Sequence, residues 1–556
     1  MSRDLARERQ LPVAEPRTES LQLPDGTVLV ADIWRPAGPG RYPVMLMRQP
    51  YGRRIASTVV LSHPAWFAAQ GYVVVVQDVR GCGDSTGRFD PLSGEAADGA
   101  ATLSWAAELP AGDGRVATYG FSYQAMTQYL ALAGAAKAGT KRPDAMVPIM
   151  GGWGIADDWA YEGGAFRLTL SQYWLFQMAA GEARRAGAFD DYHVFAQAAE
   201  AGAHHGSRPA YGELLERAGR YVGHYEGWRA GDRATFDAIS PRAALLDDPL
   251  DVPALHVGGW LDFMLDGTLA ADRAFRARGT APQRLIVGPW PHLPWGRFAG
   301  PDLGEEAGLG IDMEIVDFLD FHMKGTGEPG PAYRLFDVGT GRWRDFAVFG
   351  GDGGHKLFLG SGGRAAATTG DGTLLAEPGP AGVDFLVHDP WRPAPAAGLH
   401  WDYPNSFCDR RAVDDRSDVA VYTTPPLTAD ICLAGPVAAE IHVDCDRPSH
   451  DLNCTLSALR PDGFAMALTG GHLRIDDATM PGPRSVPMRA ACATLPAGSR
   501  LRLSIQAAAW PAFVVNPGTG KRSEEASRAE AQVTTLRLGH GRTRPSHLSL
   551  PLVSSR

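Results

Sequence analysis

The sequence carries no excess of positive charge: 53 Lys and Arg stand against 63 Asp and Glu, a formal net charge of -10. Nucleic acid and anionic membrane both demand a basic face, so neither is the expected partner. No stretch approaches the roughly 18 consecutive apolar residues of a membrane span. The charged N-terminus, Met1 to Gln10, has no apolar core of the signal-peptide kind, which points to the cytoplasm. Cysteine is scarce, six in 556 residues (82, 408, 432, 445, 454 and 492), with no CxxC pair and no metal-ligand spacing. Reduced thiols are the simpler expectation, and five of the six falling in the C-terminal third leaves a disulfide open there. Phosphate-binding loops, HExxH and nucleotide fingerprints are also missing, so neither cofactor nor metal is implied.

What is present is an ordinary globular composition, 44% hydrophobic and 21% charged, in a chain too long for one core. Over the first 140 residues strand and helix signals alternate. Thr27 to Trp34, Pro43 to Met47 and Gly71 to Gln77 read as strands, and Glu95 to Leu109 as a helix. The same pattern resumes at Ala254 to Val257, Arg284 to Val287 and a helix near Ile311 to Met323. Such alternation predicts an α/β layered fold around a parallel sheet. Between the two blocks, from about Met146 to Ser240, strand signals give way to aromatic-rich helical segments, including Thr169 to Met178 and Tyr211 to Tyr221. A helical insertion there would roof the carboxyl edge of the sheet. After a linker-like stretch, Lys324 to Pro331, short alternating runs such as Pro436 to Asp444, Thr455 to Leu459 and Arg500 to Gln506 predict a β-sandwich or jelly roll. The expected organisation is core 1–145, helical cap 146–240, core 241–350 and jelly roll 351–556.

The chemistry-bearing feature is Gly120-Phe121-Ser122-Tyr123. Arg115 to Tyr119 reads as a buried strand and Tyr123 to Ala136 as a helix, so the serine sits at a strand-to-helix elbow. Gln124 and Ala125 depart from the usual G-x-S-x-G. A Ser–acid–His order needs an acid and an imidazole after later strands. Asp262 follows Leu255 to Leu261, and His292 follows Leu285 to Pro291. Asp266 and the Asp157-Asp158 pair compete for the acid role, and His63, His256 and His322 for the base. His256 on an apolar strand and His322 in an amphipathic helix read as structural, which leaves Ser122, Asp262 and His292 as the expected triad.

These segments resemble the cocaine esterase and X-Pro dipeptidyl-peptidase (S15) family of α/β-hydrolases. Arg48-Gln-Pro-Tyr51, Asp78-Val-Arg-Gly-Cys-Gly-Asp-Ser-Thr-Gly87, Gly120-Phe-Ser-Tyr123, Gly259-Trp-Leu-Asp262 and Gly288-Pro-Trp-Pro-His292 carry the resemblance. Tyr422-Thr-Thr-Pro-Pro-Leu and Asn516-Pro-Gly-Thr-Gly520 extend it into the C-terminal third. It implies a hydrolase core, a helical cap and a C-terminal jelly roll, with an acyl-enzyme on Ser122. It also implies an oxyanion hole made by the Tyr51 hydroxyl and the Tyr123 backbone N–H.

Relatives that recognise a substrate ammonium carry carboxylates just after the triad acid, where this sequence has Phe263, Met264 and Leu265. X-Pro dipeptidyl peptidases usually carry a further N-terminal domain, which this sequence does not show. A carboxylic ester with an apolar or aromatic acyl group is therefore the expected substrate, lined by Trp153, Trp159, Phe166, Phe263 and Met264. Acyl transfer or amide cleavage uses the same triad, and a degenerate hydrolase kept as a binding protein is the alternative of another class. The expected partner is a small-molecule ester or amide, with a homodimer as the candidate assembly. Ala125, at the family's glycine, and Ala507-Ala-Ala-Trp510, at its polar run, are the departures.

Overall fold

The computed structural model describes residues 10–553 except 55–59, 202–207, 294–300, 309, 351–353 and 400–405. The N-terminal segment read above as lacking a signal core lies almost wholly outside the described residues.

Among the described residues, ten strands form the first sheet in the order β1-β2-β4-β3-β5-β6-β9-β10-β11-β12. They are β1 (Arg17–Gln22), β2 (Val28–Trp34), β3 (Tyr42–Gln49), β4 (Val73–Asp78), β5 (Gly112–Phe121), β6 (Ala145–Ile149), β9 (Ala254–Leu261), β10 (Gln283–Pro291), β11 (Tyr333–Asp337) and β12 (Arg342–Phe346); β7 (Tyr161–Glu162) and β8 (Ala165–Phe166) make a separate hairpin in the cap. From β4 to β11 the pairing is parallel throughout. The central strands are apolar on both faces because helices cover both, and β4, β6, β9 and β10 are buried along their whole length. The Pro/Gly stretch 324–331 is not a break between units, since β11 beyond it pairs in register with β10, Leu285 opposite Tyr333.

Helices α2 (Glu95–Ala107) and α3 (Tyr123–Ala138) pack together, and Gly134 makes this possible because a Cβ there would meet the Ala96 carbonyl oxygen at 1.8 Å. The helix expected near Ile311 to Met323 is α-helical over Asp312–Leu319 and then widens into a π-turn, Asp320–Lys324. Among the described residues between β6 and β9 the chain is helical apart from the β7–β8 hairpin, and α4 (Leu168–Arg185) is one of its long members. Among the described residues, twelve strands between His355 and Val553 build the C-terminal β-rich domain.

The cap is pinned to that domain through backbone. Leu168 N–H donates to Ala512 O (2.8 Å) and Arg474 N–H to Gly163 O (2.8 Å). Gly163 is required at that crossing, since a Cβ would lie 2.0 Å from the His472 carbonyl oxygen. The alanines of the 507–512 run have the same use. Ala509 and Ala512 pack with Ala165, Ala396 and Phe513 in a small-residue cluster that admits close approach. Cys82, Cys432, Cys445, Cys454 and Cys492 are free thiols, and Cys408 Sγ lies 2.8 Å from the Ala397 carbonyl oxygen.

Candidate active site

Three parallel strands bring Ser122, Asp262 and His292 to one edge. Ser122 follows β5 with φ 63° and ψ -121°, the strained conformation of an elbow that lifts its hydroxyl from the sheet. Gly120 before it has φ 142°, and a Cβ there would lie 2.5 Å from Cβ of Gln124. The methyl of Ala125 is accommodated from across the gap, because Gly151 faces it and leaves the space open.

His292 Nε2 lies 2.9 Å from Ser122 Oγ, and His292 Nδ1 lies 2.8 Å from Asp262 Oδ1. The two partners occupy opposite edges of the imidazole, so the ring can take a proton from the serine while the carboxylate fixes its tautomer. Asp262 Oδ1 also accepts from the Met264 N–H (3.1 Å). The imidazole is held between the Phe121 ring, 4.6 Å between centroids, and the Phe263 ring at 4.4 Å. All three groups are buried, and that exclusion of water strengthens each charge interaction.

Tyr51 lies beside the serine, and its hydroxyl accepts from Trp174 Nε1 at 3.3 Å. Desolvation pushes its pKa up to about 12, which keeps the phenol protonated and able to donate. The loop carrying it is clamped from below. Tyr51 N–H donates to Gln49 Oε1, and Arg53 binds Asp78 through both its backbone N–H and its guanidinium, each at 2.6 Å. Gly83 gives Asp78 its place, since a Cβ at 83 would touch that carboxylate at 2.1 Å.

Tyr123, whose N–H opens α3 at a position without an intrahelical acceptor, is anchored by its own side chain. Its hydroxyl accepts from Leu92 N–H (2.8 Å) and donates to Glu95 Oε1 (3.0 Å), while Glu95 Oε2 receives Arg48 Nη1 at 2.6 Å. Burial pushes the Glu95 carboxyl up against the opposing pull of Arg48.

The remaining expectations sort by place. Trp159 (4.6 Å from Trp174), Phe166, Phe263 and Met264 belong to the apolar cluster that contains Tyr123 and Trp174. Trp153 does not. The chain turns at Gly151-Gly152, and the indole packs behind the sheet edge against Tyr129 (5.3 Å) and Phe275 (6.2 Å), in a different cluster. It therefore stands apart from the aromatic cluster around Tyr123 and Trp174.

The competing acids and bases are engaged elsewhere. Asp157 pairs with Arg233 and Arg242. Asp158, pushed up to about 6 by desolvation, accepts from the Trp153 and Gly154 N–H groups. Asp266 lies on the helix after Asp262, and desolvation raises its pKa against the pull of Arg489. His63 caps the helix Pro64–Ala69, His322 packs on Phe318 and Phe321, and His256 is buried beside the Tyr129 hydroxyl at 3.4 Å.

Residues that sequence reading missed are Trp174, Glu95, Arg53 and Arg167. Arg167 Nη1 donates to the Phe263 carbonyl (3.1 Å) and Nη2 pairs with Glu162 (2.9 Å), tying the cap to the residue after Asp262. The Asp78 to Gly87 and Arg48 to Tyr51 motifs were the available signals for Arg53; Trp174 and Arg167 left none. Among the described residues, no cluster of three or more His, Cys, Asp or Glu could hold a metal, and no helix is long and apolar enough to cross a membrane.

A family model described as X-Pro dipeptidyl-peptidase (S15 family) matches residues 25–294, and one described as the X-Pro dipeptidyl-peptidase C-terminal non-catalytic domain matches residues 325–549. Cocaine esterase of Rhodococcus sp. (strain MB1 Bresler) is 29% identical over 567 aligned residues, covering 95% of this chain and 97% of the relative. Among solved structures, an aminopeptidase from the marine sediment archaeon Thaumarchaeota archaeon superposes with a TM-score of 0.78 at 22% identity, covering 98% of this chain and 97% of that one. An α-amino acid ester hydrolase gives 0.73 at 20% identity over the same shares. At these identities the structural likenesses establish the fold.

Proposed function

The chain belongs to the cocaine esterase and X-Pro dipeptidyl-peptidase (S15) family of hydrolases, and from that premise we propose that it is a serine esterase. It cleaves carboxylic esters with an apolar or aromatic acyl group through an acyl-enzyme on Ser122. The observation that carries this reading is the run Ser122 Oγ–His292 Nε2 at 2.9 Å and His292 Nδ1–Asp262 Oδ1 at 2.8 Å, with the Tyr51 hydroxyl alongside.

In this reading His292 accepts the Ser122 proton as the hydroxyl oxygen attacks the acyl carbon. Asp262 stabilises the resulting imidazolium. The negative charge on the former carbonyl oxygen is met by the Tyr51 hydroxyl and the Tyr123 N–H, each such donor worth about 3–4 kcal/mol in the transition state. His292 then returns the proton to the leaving alcohol. Water, deprotonated by the same imidazole, releases the acid.

The acyl preference rests on what surrounds the triad. Phe263 lies against His292, and Trp159, Trp174 and Met264 share its cluster. The two cap carboxylates that would bind an ammonium are already engaged, Asp157 by two arginines and Asp158 by two backbone N–H groups. An α-amino ester or a peptide with a free amine therefore meets no unengaged carboxylate from this pair.

Steady-state hydrolysis of p-nitrophenyl benzoate, p-nitrophenyl butyrate, phenylglycine methyl ester and alanyl-prolyl-p-nitroanilide tests this directly. The benzoate or butyrate should give the highest kcat/KM. A higher value for the amino ester or the anilide would overturn the acyl assignment, and turnover undiminished in Ser122→Ala would overturn the mechanism.

A further inference from the structure

Trp174 stands in the second turn of α4, on the cap, 123 positions from Tyr51 in sequence, and its Nε1–H donates to the Tyr51 hydroxyl oxygen at 3.3 Å. An indole N–H is a donor only, whereas a phenol has one proton and an oxygen that accepts. The direction of this hydrogen bond is therefore fixed by chemistry alone. With Trp174 occupying one acceptor position, the single Tyr51 proton must point elsewhere, and Ser122 is a further neighbour of that hydroxyl.

The indole is held where it can do this. It stacks on Trp228 (5.7 Å between centroids, 6° between planes) and, with more offset, on Tyr123 (6.5 Å, 21°). Trp159 and His224 meet it edge-on at 4.6 and 4.5 Å. It is buried, so its N–H would be left without an acceptor if it turned from Tyr51. The helix that carries it is fixed at its start by the Leu168 bond to the C-terminal domain and by the Arg167 bond to the Phe263 carbonyl.

We propose that Trp174 is a positioning residue for the oxyanion hole: its N–H fixes the rotation of the Tyr51 hydroxyl so that the phenolic proton faces the reacting carbonyl oxygen. The proposal rests on the reading of Ser122 as nucleophile and Tyr51 as oxyanion donor. It makes the cap a contributor to transition-state stabilisation as well as a roof. An accepted hydrogen bond also polarises the O–H of the acceptor and makes it a better donor, which works in the same direction.

The test is a double-mutant cycle. The indole of Trp174 is replaced by benzothiophene through an unnatural amino acid, sulfur for N–H, which keeps the ring shape, with Trp174→Phe as the genetically simple companion. Single-turnover acylation and steady-state rates are measured in the wild-type and Tyr51→Phe backgrounds. In the wild-type background the sulfur isostere should lower kcat roughly tenfold with KM moved less than about twofold, the mark of an interaction used in the transition state. In the Tyr51→Phe background it should cost nothing further. An unchanged kcat, or the same loss in both backgrounds, overturns the proposal, because a purely structural indole would act regardless of the phenol. Ser122→Ala is run alongside: if it retains turnover, the nucleophile reading fails first, and the cycle is read as a rejection of both.

Discussion

Ser122, His292 and Asp262 are matched, residue type for residue type, by Ser361, His540 and Asp384 in the C-terminal domain. The two clusters differ in how each imidazole is approached. His292 has the serine on Nε2 and the aspartate on Nδ1. His540 has both on the Nε2 side, Ser361 Oγ at 2.9 Å and Asp384 Oδ2 at 3.6 Å, while its buried Nδ1 has no hydrogen-bond partner among the described residues.

The serine proton also goes to a different place. Ser361 donates it to Asp384 Oδ2 (2.7 Å), and its oxygen is already an acceptor for the Gly363 N–H (3.0 Å). Asp384 receives the Tyr422 hydroxyl and the Ala365 N–H besides. The carboxylate rather than the imidazole takes that serine proton's hydrogen bond, and Ser361 does not stand at a positive-φ elbow as Ser122 does. The same three side chains form a serine–imidazole–carboxylate run at one sheet and a polar staple at the other. Wiring around the imidazole, not composition, separates them.

The sharpest way to break this contrast is to delete each serine. Ser122→Ala should lower kcat by on the order of 10⁵–10⁶-fold, whereas Ser361→Ala should leave it within about twofold. Equal losses in a titrated ester assay would contradict the distinction. Tyr51→Phe comes next, with kcat down by about 10²–10³-fold and the urea midpoint unchanged.

Asp384→Ala inverts the pattern. It strands the Tyr422, Ser361 and Ala365 donors, so unfolding in urea should become easier by about 3 kcal/mol while activity per folded molecule at 25 °C stays intact.

The smallest effect concerns a third imidazole, His256, buried six residues before Asp262 and pushed down to about 4 by desolvation. Its unfolded value is 6.5, so the unfolded chain binds the proton more readily and stability falls as pH drops through 6.5. Between pH 6.5 and 5 this removes about 1.5 kcal/mol. Urea titrations at the two pH values should show His256→Asn with a correspondingly flatter dependence. An unaltered slope would mean that His256 does not titrate in this way.

The triad was legible in the sequence because each member follows directly on an apolar strand, and strand ends are fixed by local pattern. The second cluster was not, since Ser361, Asp384 and His540 are spread over 179 positions and meet only through the register that sets Gly382 opposite His540. Trp174 was hidden for a similar reason. A helical pattern marks it as buried but cannot say which polar group its N–H will reach. Trp153 shows the opposite error: it stands at the start of the cap in sequence, yet the turn at Gly151-Gly152 sends its ring to Tyr129 and Phe275. The strand after 324–331 was not read from the sequence, because Pro and Gly there resemble a linker, yet β11 and β12 extend the core sheet within the expected core span 241–350.

Peptide-level mass spectrometry after treatment with a fluorophosphonate is the most direct test of the central claim that wiring makes one serine a nucleophile. The expected result is one adduct, on Ser122, with Ser361 unmodified and no adduct in Ser122→Ala. Labelling of Ser361, or an unmodified Ser122 in folded protein, would contradict it.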